Sequence, residues 1–138
     1  MADDGGLRRL QKRLQDIPDE VVRAVQPALI RQAETIAGTM KSAAPRDTGD
    51  LIDSIAITPP DSSTPPYSQP GGRTVVPETS VAITVGNADV RYAHLVEYGT
   101  QKANAQPFFW PSVRLHQKRA NASIKNAIRR AVKKEWGK

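Results

Sequence analysis

The sequence contains no cysteine, which excludes disulfides and thiolate metal sites as sources of stability or chemistry. Aromatic residues make up only 5% of it, and there are two histidines, His94 and His116, outside any HExxH context. A metal centre needs three or four convergent ligands, so neither histidine defines one. Glycine-rich phosphate loops are absent: SQPGGR has neither the required spacing nor a following Lys-Ser/Thr pair. No serine lies in a nucleophile-elbow pattern. No apolar run approaches the length of a membrane span, and the opening MADDGGLRRL lacks the layout of a secretion signal. These absences argue against an enzyme or a membrane protein. They lead to the expectation of a chain made and kept in the cytoplasm unless it leaves within a particle.

What is present fits one modest domain over residues 1–138, with a flexible start at 1–5. Hydrophobic residues are 38% and charged residues 25%, so a second copy is a plausible source of further burial. The net charge of +6 is unevenly distributed. Residues 112–138 hold nine Lys/Arg and one acidic residue, Glu135, whereas residues 1–111 hold eleven Lys/Arg and thirteen Asp/Glu.

Leu7, Leu10, Leu14 and Ile17 recur at helical spacing and predict a short amphipathic helix. Val21, Val22, Val25, Leu29, Ile36, Ala37 and Met40 predict a longer one over about 18–43, with Pro18 in its first turn. Pro27 would kink or split it. In APRDTGDL, Asp47 or Thr48 can cap a new turn, and LIDSIAI then reads as one helical turn passing into a strand near 54–58. Residues 59–73, with five prolines and two glycines, form a long loop, either a disordered insertion or an assembly element. TVVPETSVAITVGNADV reads as two strands: Val81, Ile83 and Val85 alternate, Pro77 marks an edge or a break, and Gly86-Asn87 makes a turn. Pro111 fits the first turn of a final helix. Val113, Ile124, Ile128, Ala131 and Val132 give that helix an apolar face, with Leu115 and Trp136 near its ends. The expected fold is α+β: N-terminal helices and a long C-terminal helix packed on a small antiparallel sheet.

Three groups of residues invite a chemical reading. His94 and Glu97 in YAHLVEYGT are three apart and could share a helix face, but no third ligand or nucleophile accompanies them. The stretch reads better as a structural junction, in which Tyr92, Leu95, Val96 and Tyr98 anchor a turn, Glu97 caps backbone or meets a cation, and Gly99 supplies a bend. Asp47, Asp50 and Asp53 are spaced for a cation site, yet two of them fall where helix caps belong. Arg114, Lys118, Lys125, Arg129 and Lys133 recur at helical spacing. That basic face could be solvated, meet an acidic partner, or border a DNA channel through phosphate contacts; the alternative function it offers is a small basic nucleic-acid-binding protein that acts through the C-terminal helix alone.

Three short motifs follow one another. Pro45, Thr48, Gly49, Leu51, Ser54 and Ile55 form P-x-x-TG-x-L-x-x-SI. Tyr92, Ala93, Val96, Glu97, Gly99 and Thr100 form YA-x-x-VE-x-GT. Ala105, Pro107, Phe108 and Pro111 form A-x-PF-x-x-P. In this order they resemble the HK97 gene-10-type tail-component family of tailed phages and prophages, over roughly residues 5–135. The resemblance implies a structural component of a phage, prophage or gene transfer particle, described as tail completion, tail terminator or head–tail joining. It implies a cyclic homo-oligomer, a hexamer by analogy with tail-tube symmetry, at the head-proximal end of the tail. The ring would end tube growth, with the tail tube protein and a head–tail connector or stopper protein as partners. It further implies placement in the virion tail or neck after assembly in the host cytoplasm. Proximity to DNA would be non-specific, and no enzymatic activity, cofactor or membrane is implied. The family signature carries Glu97 and needs no histidine at position 94.

Overall fold

A computed structural model describes residues 19–46 and 49–136. The helix expected around Leu7–Ile17 and the capping residues Asp47 and Thr48 lie outside these. Helix α1 spans Asp19–Ala43 and buries Val21, Val22, Val25, Ala28, Ala33, Ala37 and Met40. After the adjacent pair Val21 and Val22 these recur every three to five residues, so they form one stripe along the helix. Asp19 and Glu20 lie in its first turn and Lys41 in its last, each of the sign that complements the helix dipole. Pro27 does not split the helix, contrary to one expectation. It is exposed, so water can take the Arg23 carbonyl that its missing N–H leaves unbonded.

Helix α2, Asp50–Asp53, follows Gly49 at its N-cap position, where φ is 83° and no side chain caps. Ser54 and Ile55 still bond back to the helix, Ser54 N–H to Asp50 O and Ile55 N–H to Ile52 O. Strand β1, Ala56–Thr58, therefore starts two residues later than expected. It pairs antiparallel with β2, Ala82–Thr84, in the register Ala56–Thr84, Ile57–Ile83, Thr58–Ala82. Of the two strands expected between 74 and 90, only β2 forms. The first shrinks to an isolated bridge between Ser63 and Val75. The physical reason is local: the Thr64 hydroxyl accepts the Thr74 N–H at 2.8 Å, so a side chain replaces a ladder bond. Pro77 then prevents continuation.

Residues 59–73 form neither helix nor strand but are bonded along their length. Asp61 N–H donates to Val76 O, Thr64 N–H to Thr74 O, and Gln69 exchanges both backbone bonds with Val85. Ser68 and Thr64 are buried. The chain then turns at Gly86-Asn87, forms helix α3 over Ala93–Tyr98, and ends in helix α4, Phe109–Trp136.

Helices α1 and α4 pack antiparallel. Near the sheet, Ala37, Met40 and Ala44 share one cluster with Leu51, Ile55, Val85, Val90, Ala93, Phe108 and Phe109. At the far end Val21 and Val25 meet Ile124, flanked by half-buried Leu29, Ala127, Ile128, Ala131 and Val132. Beside the sheet-proximal cluster Thr39 Oγ1 lies 2.7 Å from His116 Nε2. Leu115 does not join the apolar face. It is 70% exposed. The fold is thus α+β, with a helical pair on a two-stranded sheet. Among the described residues no helix is long and apolar enough to cross a membrane.

The sheet-proximal cluster is the larger of the two. Phe108→Ala removes a fully buried ring and should cost about 3–5 kcal/mol, against about 0.5–1.5 kcal/mol for Ile124→Val in the distal cluster. Urea unfolding of the two variants checks this, and equal losses would contradict the ranking.

Candidate functional site

Every long helix must dispose of four backbone N–H groups at its start. In α4 these belong to Phe108, Phe109, Trp110 and Pro111. Proline has none to place. No Ser, Thr, Asp or Asn precedes the helix closely enough to cap it. Glu97 in α3 does so instead. Its Oε1 accepts the N–H of Phe108 and of Phe109, each at 2.9 Å. Its Oε2 accepts the N–H of Trp110 at 3.1 Å. The carboxylate is buried, 7% exposed, and its charge meets the positive end of the helix. Sequence reasoning left capping and ion pairing both open for Glu97. The structure contains the cap.

The loop between donor and acceptor is built to close this contact. Gly99 N–H bonds Leu95 O to end α3, Thr100 N–H bonds Ala103 O, and Gln106 N–H bonds Val96 O. The Thr100 hydroxyl also accepts from Lys102 and Ala103 N–H. Gly99 has φ 80°, and a Cβ there would lie 2.7 Å from Ala105 N and 3.1 Å from Ala103 O. Both backbone strain and contact therefore require glycine.

The motif residues gather around this junction. Leu51 and Ile55 share the core cluster with Ala93 and Phe108. Buried Ser54 donates to Leu51 O at 2.6 Å and accepts the Gly86 N–H at 3.0 Å, tying the first motif to the turn that leads into α3. Val96 is half-buried against the cluster, Pro45 and Pro111 are half-buried, and Pro107 is exposed. Thr48 lies outside the described residues. Three of the four residues expected to anchor the 92–98 turn do not: Tyr92, Leu95 and Tyr98 are 40%, 45% and 69% exposed. The Tyr98 hydroxyl instead receives the Trp110 indole N–H at 2.8 Å.

The remaining candidates take no part in the cap, although His94 borders a cavity of about 50 Å³ together with Glu97, Phe109 and Trp110. His94 is exposed, and the Glu97 carboxylate is turned to α4. Asp50 and Asp53 are exposed, and no cluster of three or more His, Cys, Asp or Glu suited to a metal occurs among the described residues. Arg114, Lys118, Lys125, Arg129 and Lys133 are all exposed on α4. Sequence reasoning missed Ser54 as a cross-link and the Thr39–His116 contact. The missing local cap before FFWP was the one signal that pointed to a distant acceptor.

The fold and the junction define a protein whose identifiable polar contacts hold elements together. Residues 8–99 match a family model described as "Bacteriophage HK97-gp10, putative tail-component". The chain belongs to this HK97-gp10-like phage tail-component family, on a match that covers the first motif and the second as far as Gly99 and ends before α4. No curated protein and no solved structure matches it.

Removing the cap should be felt at once. Glu97→Gln leaves one acceptor for three donors and should cost roughly 1.5–3 kcal/mol, measurable by thermal or urea unfolding. His94→Ala should stay within about 0.5 kcal/mol of the parent. Gly99→Val should destabilise by about 1–3 kcal/mol from strain alone, and unchanged melting would contradict the assigned bend.

Proposed function

We propose that this protein is a structural subunit of a phage, prophage or gene transfer particle, without catalytic activity. In this reading it forms a cyclic homo-oligomer, a hexamer, at the head-proximal end of the tail. The ring ends tube growth and joins the tail to a head connector or stopper protein. Assembly takes place in the host cytoplasm, and the final location is the tail or neck of the virion.

The observation that carries the reading is an open apolar groove, in a chain of a tail-component family. The groove has a volume of about 250 Å³ and lies between α1, residues 79–83 and α4. Leu29, Ile36, Val81, Ile83, Val113 and Ile124 line it. A second copy supplies the matching chemistry. Leu95, Tyr98 and Trp110 are exposed large apolar side chains at the junction, outside the lining of the groove. A patch and a groove on different parts of one chain suit a heterologous, head-to-tail contact, which closes into a ring when the rotation permits. Isologous pairing would need one self-complementary surface instead.

Size-exclusion chromatography with light scattering, alone and with the tail tube protein added, tests this. A closed oligomer, alone or on the tube, is the expected result. Val81→Asp should return it to protomers with helicity retained, because Val81 lies at the half-buried rim of the groove. A protomer that stays monomeric under both conditions overturns the reading.

A further inference from the structure

We propose that the outward face of α4 is a sequence-independent binding site for the phosphate backbone of duplex DNA. Arg114, Lys118, Lys125 and Arg129 fall within about 60° of one another around the helix at 100° per residue. All four are exposed. They run along about 22 Å of helix at 1.5 Å per residue, a length that spans about six phosphates of one strand at 3.4 Å each. Lys133 lies about 40° beyond Arg129, outside this face and at the angle of exposed Leu115. Glu135, at the far end, is the only carboxylate in the helix, so repulsion of an anion from within α4 is confined to its last turn.

The chemistry of the surface distinguishes a nucleic acid from an acidic protein. The four cations share their face with the amides of Gln117, Asn121 and Asn126, and Ala122 is the one apolar residue among them. A protein interface of any strength carries an apolar core; among these cations only Ala122 is apolar, and the apolar groove begins beyond Gln117 and Asn121. Protein–DNA interfaces are polar, strongly positive and wet. The face also has no aromatic side chain on which an unpaired base could stack, which favours a duplex over a single strand. The family match stops at residue 99, so this site belongs to a part of the chain that the match does not describe. It does not depend on ring formation: the four cations lie on one protomer.

The test uses the full chain and fluorescein-labelled 30-bp duplexes of two unrelated sequences, followed by anisotropy between 50 and 200 mM NaCl. Both duplexes should bind with affinities within about twofold of each other. The slope of log K against log salt should be about −3.6, from four phosphate contacts at about −0.9 each. Lys118→Glu with Lys125→Glu should weaken binding at least tenfold and make the slope shallower by about 2, with the circular dichroism melt unchanged. Arg23→Glu, an exposed charge on α1, should leave binding within about twofold. Absence of binding at 50 mM salt and 100 μM protein overturns the proposal. So does binding that survives the Lys118/Lys125 reversal. Displacement of the duplex by polyglutamate at a lower charge concentration than by unlabelled DNA also overturns it, in favour of an acidic protein partner. A ring by light scattering without DNA binding would sink this inference and leave the proposed function standing. DNA binding by a strict monomer would do the reverse.

Discussion

The carboxylate of Glu97 at the start of α4 is the constraint on which the rest of the architecture turns. The helix begins on Phe108 and Phe109, both buried in the sheet-proximal core, where water cannot serve as acceptor for the first N–H groups. Leaving them unbonded would cost roughly 1–3 kcal/mol each. One carboxylate from α3 takes all three available donors, and Pro111 removes the fourth. The contact fixes where α4 begins, and the antiparallel packing against α1 then sets its course over 28 residues.

That dependence reaches backwards as well. α3 can present Glu97 only because the turn before it is held. The Gly86 N–H is bonded to Ser54 Oγ, and a Cβ at Gly86 would lie 2.9 Å from Val90 O. Val85, Val90 and Ala93 join Leu51 and Ile55 in the same cluster. The three motifs, distant in sequence, thus meet around one core and one cap. Chemistry that looked catalytic when His94 and Glu97 were seen as neighbours is resolved by direction: one side chain points to solvent, the other into a helix end.

Elements governed by local pattern were legible from the residues alone. The valines and alanines of α1 repeat at helical spacing, and DLID running into AIT carries its own turn-to-strand signal. What depended on distant partners was not legible. The stretch around Val75 has strand composition, yet the Thr64 hydroxyl intercepts its ladder. Leu115 sits in an apolar-looking helix, yet the phase set by Val113, Ala120 and Ile124 turns it outward. Glu97 could be narrowed to a cap or an ion pair, but choosing between them required knowing that an uncapped helix lay 11 residues on in chain and adjacent in space. A helix start with no Ser, Thr, Asp or Asn is therefore informative, because its N–H groups must find an acceptor elsewhere.

The division of labour within α4 follows from the same physics. Its inner face is committed to α1 and the sheet through Phe109, Val113, Ala120 and Ile124. Its first turn is committed to Glu97 through backbone groups alone. None of these contacts uses Arg114, Lys118, Lys125 or Arg129. The direction of the helix is thus set by residues that do not bear its charge, and the charge is borne by residues that do not set its direction. Reversing an outer cation changes the field that a polyanion meets while the cap and both apolar clusters stay intact. Replacing Glu97 does the opposite, loosening the start of the helix while the outer charges remain. Stability and surface chemistry are therefore separable in this protein by single substitutions, because the cap is made to the main chain and the basic face is made of side chains.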